Sequence, residues 1–150
     1  MSHLHRETLH ASAVDLNGRG VLITGPAGSG KSSLTAALIS LGARLTADDV
    51  VRLTVARRQL IASAPNAANR RMELRGMGVV RLSGAELAHT TRLCLAVDLT
   101  HQPVSRLPEL ETITYLGTSL PLLRAKGASS ASAIKLMLAH GGPLPTDQID

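Results

Sequence analysis

Gly25-Pro26-Ala27-Gly28-Ser29-Gly30-Lys31-Ser32 is the stretch on which the reading of this chain turns. It fits the pattern G-x-x-x-x-G-K-[ST]. It lies between an apolar run, Val21–Thr24, and a segment, Lys31–Leu41, in which Leu34, Leu38 and Leu41 recur at helical spacing before Gly42 offers a stop. Strand, glycine loop and helix in that order make a phosphate cradle. Glycines let successive backbone N–H groups turn toward an anion, and the helix adds its positive end. In such a cradle Lys31 would bridge the terminal phosphates of a nucleotide and Ser32 would hold Mg²⁺.

Upstream, Ser12–Leu16 and Gly20–Thr24 flank Asn17-Gly18, a pair that tolerates positive φ, so the chain is expected to open with a hairpin. Downstream, Val50–Ala56 alternates Val51, Leu53 and Val55 with Arg52 and Thr54, as a half-buried strand does, and ends in a basic turn at Arg57-Arg58. Ala64–Arg71 reads as an exposed loop, Arg92–Leu99 as a buried strand and Thr112–Tyr115 as a short one. Pro121 has no N–H for a ladder, so Leu120–Leu123 is at best an edge strand. Ala131–Ala139 reads as a closing helix capped by Ser129 or Ser130. These elements predict an α/β fold with a mixed sheet and flanking helices, in one domain over residues 1–150 with a loose tail at about 141–150.

The chain has 150 residues, of which 44% are hydrophobic and 18% charged, the balance of a globular domain. Its one aromatic residue, Tyr115, leaves the core to aliphatic side chains and gives no stacking platform for single-stranded nucleic acid. The net charge of +5 comes mostly from scattered arginines and suits nucleic acid, an acidic protein or phosphorylated ligands without choosing among them. The N-terminus carries no apolar leader, and no run of apolar residues is long enough to span a membrane, so a cytoplasmic location is expected. Cys94, the single cysteine, reads as core packing. His3, His5 and His10 lack the spacing of a metal set.

Two further segments carry groups suited to phosphoryl chemistry. Asp48-Asp49 follows Arg44–Ala47 at a strand edge, where adjacent carboxylates can divide the handling of a proton and of a metal or neighbour; an acidic turn is the alternative. In Met72-Glu73-Leu74-Arg75-Gly76-Met77-Gly78, Glu73 could complete a Mg²⁺ shell and Arg75 could neutralise phosphate charge; a solvated turn is the alternative. Asp98 ends an apolar strand, as the metal-binding aspartate of ordinary P-loop NTPases does.

Taken in order, the P-loop, the Asp pair after Leu45-Thr46-Ala47, and Glu73-Leu74-Arg75-Gly76-Met77-Gly78 resemble the HPr kinase/phosphorylase family, whose mark is E-[IL]-R-G-[LM]-G downstream of those two features. His10 resembles that family's active-site histidine. The likeness is clearest from His10 to Val80, and the chain looks like the short catalytic-domain form of some proteobacteria, without the family's N-terminal domain.

The resemblance implies a phosphoenolpyruvate-carboxykinase-like P-loop fold. It also implies ATP- and Mg²⁺-dependent phosphorylation of a serine on HPr, a phosphocarrier of the sugar phosphotransferase system, with reverse phosphorolysis in many members and often a hexamer. It makes Asp48 the base, supported by Asp49 and His10, with Ser32 and Glu73 on Mg²⁺ and Arg75 facing HPr. Lys126-Gly127-Ala128-Ser129 stands where longer members show a G-R-N-like segment, so a basic residue of the family site is either missing or replaced by Arg124 or Lys126. The rival readings are a small-molecule kinase on the same scaffold and a non-catalytic ATP-binding regulator.

Overall fold

A computed structural model describes residues 5–99 and 105–149. The strands are β1 (Arg6–Leu9), β2 (Ser12–Leu16), β3 (Arg19–Thr24), β4 (Arg44–Ala47), β5 (Val51–Ala56), β6 (Gln59–Ser63), β7 (Met72–Leu74), β8 (Gly78–Val80), β9 (Thr90–Leu99), β10 (Glu111–Tyr115) and β11 (Thr118–Ala125). The helices are α1 (Lys31–Ser40) and α2 (Ala131–Ala139).

Nine strands form one mixed sheet with the path β1-β5-β6-β9-β3-β2-β4, and β11 joins β9 to β10. The pivot is β9. Its first residues, Thr90–Arg92, pair antiparallel with β6, whereas Leu93–Asp98 pair parallel with β3 and Ala96–Leu99 parallel with β11. Since β3 holds one edge, β6 and β11 share the other in succession, and one strand belongs to two sub-sheets. Alternate side chains of the central strands then feed two cores. Val21, Ile23, Leu95 and Val97 pack with Leu34 and Leu38 of α1 and Ile134 and Leu138 of α2; Leu22, Leu93 and Ala96 pack with Leu53 and Leu60 inside the curl of the sheet.

Glycine decides one close approach. A Cβ on Gly20 would lie 2.7 Å from the Arg92 carbonyl and 2.7 Å from Thr91 Oγ1. Only a bare backbone lets β3 and β9 meet there, at a point where their register shifts between Gly20 and Val21. Thr91 in turn donates to buried Asp15 at 2.7 Å, and Asp15 also accepts from the Gly18 N–H and pairs with Arg44 at 3.0 Å. This network pins β2, β4 and β9 together at the end of the sheet away from the glycine loop.

The mixed α/β architecture and the hairpin at Asn17-Gly18 are as expected; those two residues have φ of 52° and 85°. Three expectations change. The chain opens on β1 rather than on the hairpin, and β1 pairs with β5. The basic turn at Arg57-Arg58 leads into another strand, β6, because both arginines adopt positive φ and close a two-residue hairpin. β11 is interior rather than an edge: Pro121 sits opposite Thr112 of β10, and the parallel pairing with β9 begins one residue later at Leu122, beyond the missing N–H. In addition, α2 is entered from a 3₁₀ turn at Ala128–Ser130, and Ser130 stands at its N-cap without a side-chain hydrogen bond. Cys94 is half-buried beside the helix-facing core.

Candidate active site

β3 delivers the chain to the glycine loop, and α1 begins at Lys31 with Gly30 as its N-cap in a left-handed conformation (φ 102°). The loop folds on itself through a Ser29 N–H bond to the Pro26 carbonyl at 3.1 Å. Gly25 is required by space as well as by its φ of 152°, because a Cβ there would lie 2.6 Å from Ser29 Oγ and 3.1 Å from Leu99 Cβ. Lys31 Nζ donates to the Gly25 carbonyl at 2.7 Å and to the Pro26 carbonyl at 3.2 Å, which holds the ammonium over the loop. Ser29 Oγ is buried without a partner among the described residues, a polar atom that a phosphate oxygen would satisfy. An anion therefore fits this cradle: free N–H groups at a helix start, a cation poised above them, and an orphan hydroxyl.

Asp48 stands beside it. Ser32 Oγ donates toward both carboxylate oxygens of Asp48, at 3.3 Å to Oδ1 and 3.4 Å to Oδ2. A second hydroxyl, Ser12 Oγ on β2, donates to Oδ1 at 2.7 Å. The main chain is held as well: the Asp48 N–H donates to the Asn69 carbonyl at 2.6 Å, and Asn69 Nδ2 returns a bond to the Asp48 carbonyl at 3.1 Å. Burial pushes the Asp48 pKa above its ordinary value and the neighbouring Asp49 charge adds to the rise, while hydrogen bonds from Ser12 and Ser32 offset part of it. A carboxyl so placed is a better proton acceptor near neutral pH than an exposed aspartate.

A backbone turn sends the two aspartates to different surroundings. Asp49 takes a φ of 72°, and the Val50 N–H bonds the Asp48 carbonyl at 2.8 Å, a three-residue γ-turn. The turn leaves Asp48 buried and swings Asp49 to the surface. His10 is exposed and follows Leu9, the register partner of Val51, so His10 and Asp49 share one end of the β1–β5 pair.

Glu73 and Arg75 lie on the β7–β8 hairpin, whose turn closes with the Met77 N–H on the Leu74 carbonyl and with Gly76 at φ 79°. Both side chains are exposed, and among the described residues no hydrogen bond joins either to the P-loop or the Asp pair. The hairpin is nevertheless tied to the site at its root. Met72 is buried in the core with Leu34 and Leu38, and Asn69 of the preceding 3₁₀ turn clamps Asp48.

Asp98 is engaged elsewhere: it accepts from Thr24 Oγ1 at 2.9 Å and pairs with Arg124 at 3.2 Å, which also binds Glu111 at 2.9 Å. Lys126 is exposed on the stretch that follows β11. The adjoining Gly127 Cα comes within 3.9 Å of a Cβ built on Gly30. No cluster of three or more His, Cys, Asp or Glu residues forms a metal set among the described residues. The oxygen donors of Ser32 and Asp48 suit a hard cation that takes the rest of its shell from phosphates and water, as Mg²⁺ does. His3 lies outside the described residues.

A family model for the HPr serine kinase C-terminal domain matches residues 2–123, more than half of the chain. The chain belongs to that family. An HPr kinase/phosphorylase of Geobacillus kaustophilus is 37% identical over 126 residues, covering 77% of this chain and 40% of the relative. That of Chloroherpeton thalassium is 32% identical over 130 residues, covering 80% and 38%. The solved HPr(Ser) kinase/phosphatase of Coxiella burnetii superposes with a TM-score of 0.78 at 29% identity, over 89% of this chain and 95% of that one. The chain spans about two fifths of the length of those two curated relatives.

Sequence reasoning found the loop, the Asp pair and the glutamate–arginine segment, and it missed Ser12 and Asn69. A hydroxyl at Ser12, directly before Ala13 and Val14, was the available signal for the first. Asn69, with Pro65 and Asn66, was read only as a sign of an exposed loop over Ala64–Arg71.

Proposed function

We propose that this chain is an ATP- and Mg²⁺-dependent protein-serine kinase acting on HPr in the cytoplasm. The observation that carries the reading is buried Asp48, set within hydrogen-bond reach of the P-loop Ser32 in a member of the HPr kinase family. The backbone N–H groups of Gly28–Ser32 and the Lys31 ammonium bind the polyphosphate. Ser32, with Glu73 on the adjoining hairpin, would hold Mg²⁺, which would neutralise phosphate charge. Asp48 accepts the proton of the acceptor serine as its oxygen attacks, and the carboxyl is suited to that task by burial. His10 and Asp49 line the acceptor side, and Arg75 meets charge on the transferring group or on HPr.

The test is transfer of label from γ-labelled ATP to purified HPr with Mg²⁺ present. The expected result is acid-stable phosphoserine on HPr, lost in Lys31→Ala together with most of the ATP affinity measured by calorimetry, while the fold of the variant persists. Label appearing only on a metabolite, or ATP binding with no transfer at all, would overturn the proposal in favour of a small-molecule kinase or a regulator.

A further inference from the structure

Ser12 is fully buried, and a buried hydroxyl is retained where it is hydrogen-bonded. Here it serves two partners that are consecutive in sequence. Its O–H donates to Asp48 Oδ1 at 2.7 Å, and its oxygen accepts from the Asp49 N–H at 3.3 Å. The facing strand is bent for this: β2 and β4 pair at Ala13–Ala47 and then at Val14–Leu45, a bulge that leaves Thr46 of β4 unpaired and re-aims the end of β4 two residues before Asp48. With Ser12 fixed on Oδ1, Oδ2 is left with Ser32 at 3.4 Å as its single side-chain partner among the described residues.

We infer that Ser12 is a positioning residue for the phosphoryl transfer: it locks the Asp48 carboxylate in one rotation, with Oδ1 turned inward and Oδ2 presented to the acceptor hydroxyl. The γ-turn at Asp49 is locked by the same oxygen, so one side chain sets both the direction of Asp48 and the outward swing of its neighbour. Asn69 holds the Asp48 main chain from the other side and does not reach its carboxylate oxygens. Among the side chains of the described residues, Ser12 and Ser32 are the ones that hydrogen-bond the Asp48 carboxylate. Since Ser32 is the P-loop hydroxyl, Ser12 is the partner that keeps its hold when Ser32 turns to a cation.

The inference rests on the kinase reading, and a four-member cycle tests it with the full chain: wild type, Ser12→Ala, Asp48→Asn and the double variant. Nucleotide affinity is measured by calorimetry and transfer to purified HPr by label. Ser12→Ala is expected to lower kcat about 10- to 100-fold, the scale of misplacing one reacting group. Its ATP dissociation constant should stay within about twofold of wild type, and Ser12→Thr, which keeps the hydroxyl, should recover most of the rate. In the Asp48→Asn background Ser12→Ala should change the residual rate less than about twofold, because the two side chains act as a unit.

A Ser12 that merely supports the fold would cost the same factor in both backgrounds, which would overturn the inference even if the threonine variant failed to fold. So would a Ser12→Ala enzyme with wild-type kcat. A wild-type chain that transfers nothing to HPr would instead overturn the kinase reading, and the inference with it.

Discussion

Replacing Asp48 by asparagine should move activity and stability in opposite directions. Asparagine keeps the shape and an acceptor oxygen for Ser12 at 2.7 Å, so the loop and the γ-turn should persist. What is lost is the capacity to take a proton, and loss of a general base costs about 10²–10⁴ in rate. At 1.36 kcal/mol per tenfold, that is about 3–5 kcal/mol of barrier.

Stability should respond to the buried charge. Because burial raises the Asp48 pKa above 3.8, the native state holds a proton over a range in which the unfolded chain has released it. The stabilisation from that proton is complete below 3.8 and is lost as pH rises through the native value, where the wild type must keep a desolvated carboxylate and the amide need not. Asp48→Asn should therefore melt higher than wild type at pH 8, with ~2–4 °C of Tm for each kcal/mol gained. The gap should narrow as pH falls toward 3.8. Label transfer to HPr and thermal unfolding between pH 8 and 4 read the two effects. Transfer within about threefold of wild type would remove Asp48 as the base, and a stability gap that widened with falling pH would refute the burial account.

Gly20→Ala should lower Tm by roughly 2–12 °C through overpacking of about 1–3 kcal/mol against the Arg92 carbonyl, whereas Gly84→Ala, with open space around it, should be silent by calorimetry. Glu73→Gln should raise the Mg²⁺ concentration needed for half-maximal transfer, and Arg75→Ala should depress transfer with little change in ATP affinity. Asp98→Asn, which weakens a pair with a half-exposed arginine, should cost about 1 kcal/mol or less and leave transfer near wild type. A crippled Asp98 variant beside active Glu73 and Arg75 variants would reverse those assignments.

Local chemistry was legible where a residue type has a single conformational use. The Asn17-Gly18 turn and the strand–loop–helix of the P-loop are written in glycine and asparagine, and the structure follows them. Strand β6 was not legible because its hairpin is closed by Arg57 and Arg58, residues with no preference for the positive φ they adopt; tertiary pairing with β9 supplies what the turn lacks. Pro121 was read as an edge signal, yet a proline excludes pairing only through its own N–H, and β11 uses the residues after it. In the site, charged groups announced themselves, whereas Ser12 and Asn69 act through distances to Asp48 that span 36 and 21 positions of sequence, which no local pattern encodes.

The divided strand β9 also sets a timetable. Thr24, the last residue before the glycine loop, is held by Asp98, 74 positions later, and Leu99 closes the loop's underside at Gly25. A ribosome adding ~5–20 residues per second needs roughly 4–15 s to make that interval. Throughout it the phosphate loop exists as sequence without a floor, and neither sub-sheet can close, since both wait for the same ten residues. Nucleotide therefore cannot act as an early template for this domain. It can only reward a chain that has already been made through Leu99, and a nascent chain stalled before Thr90 should show no nucleotide protection at all.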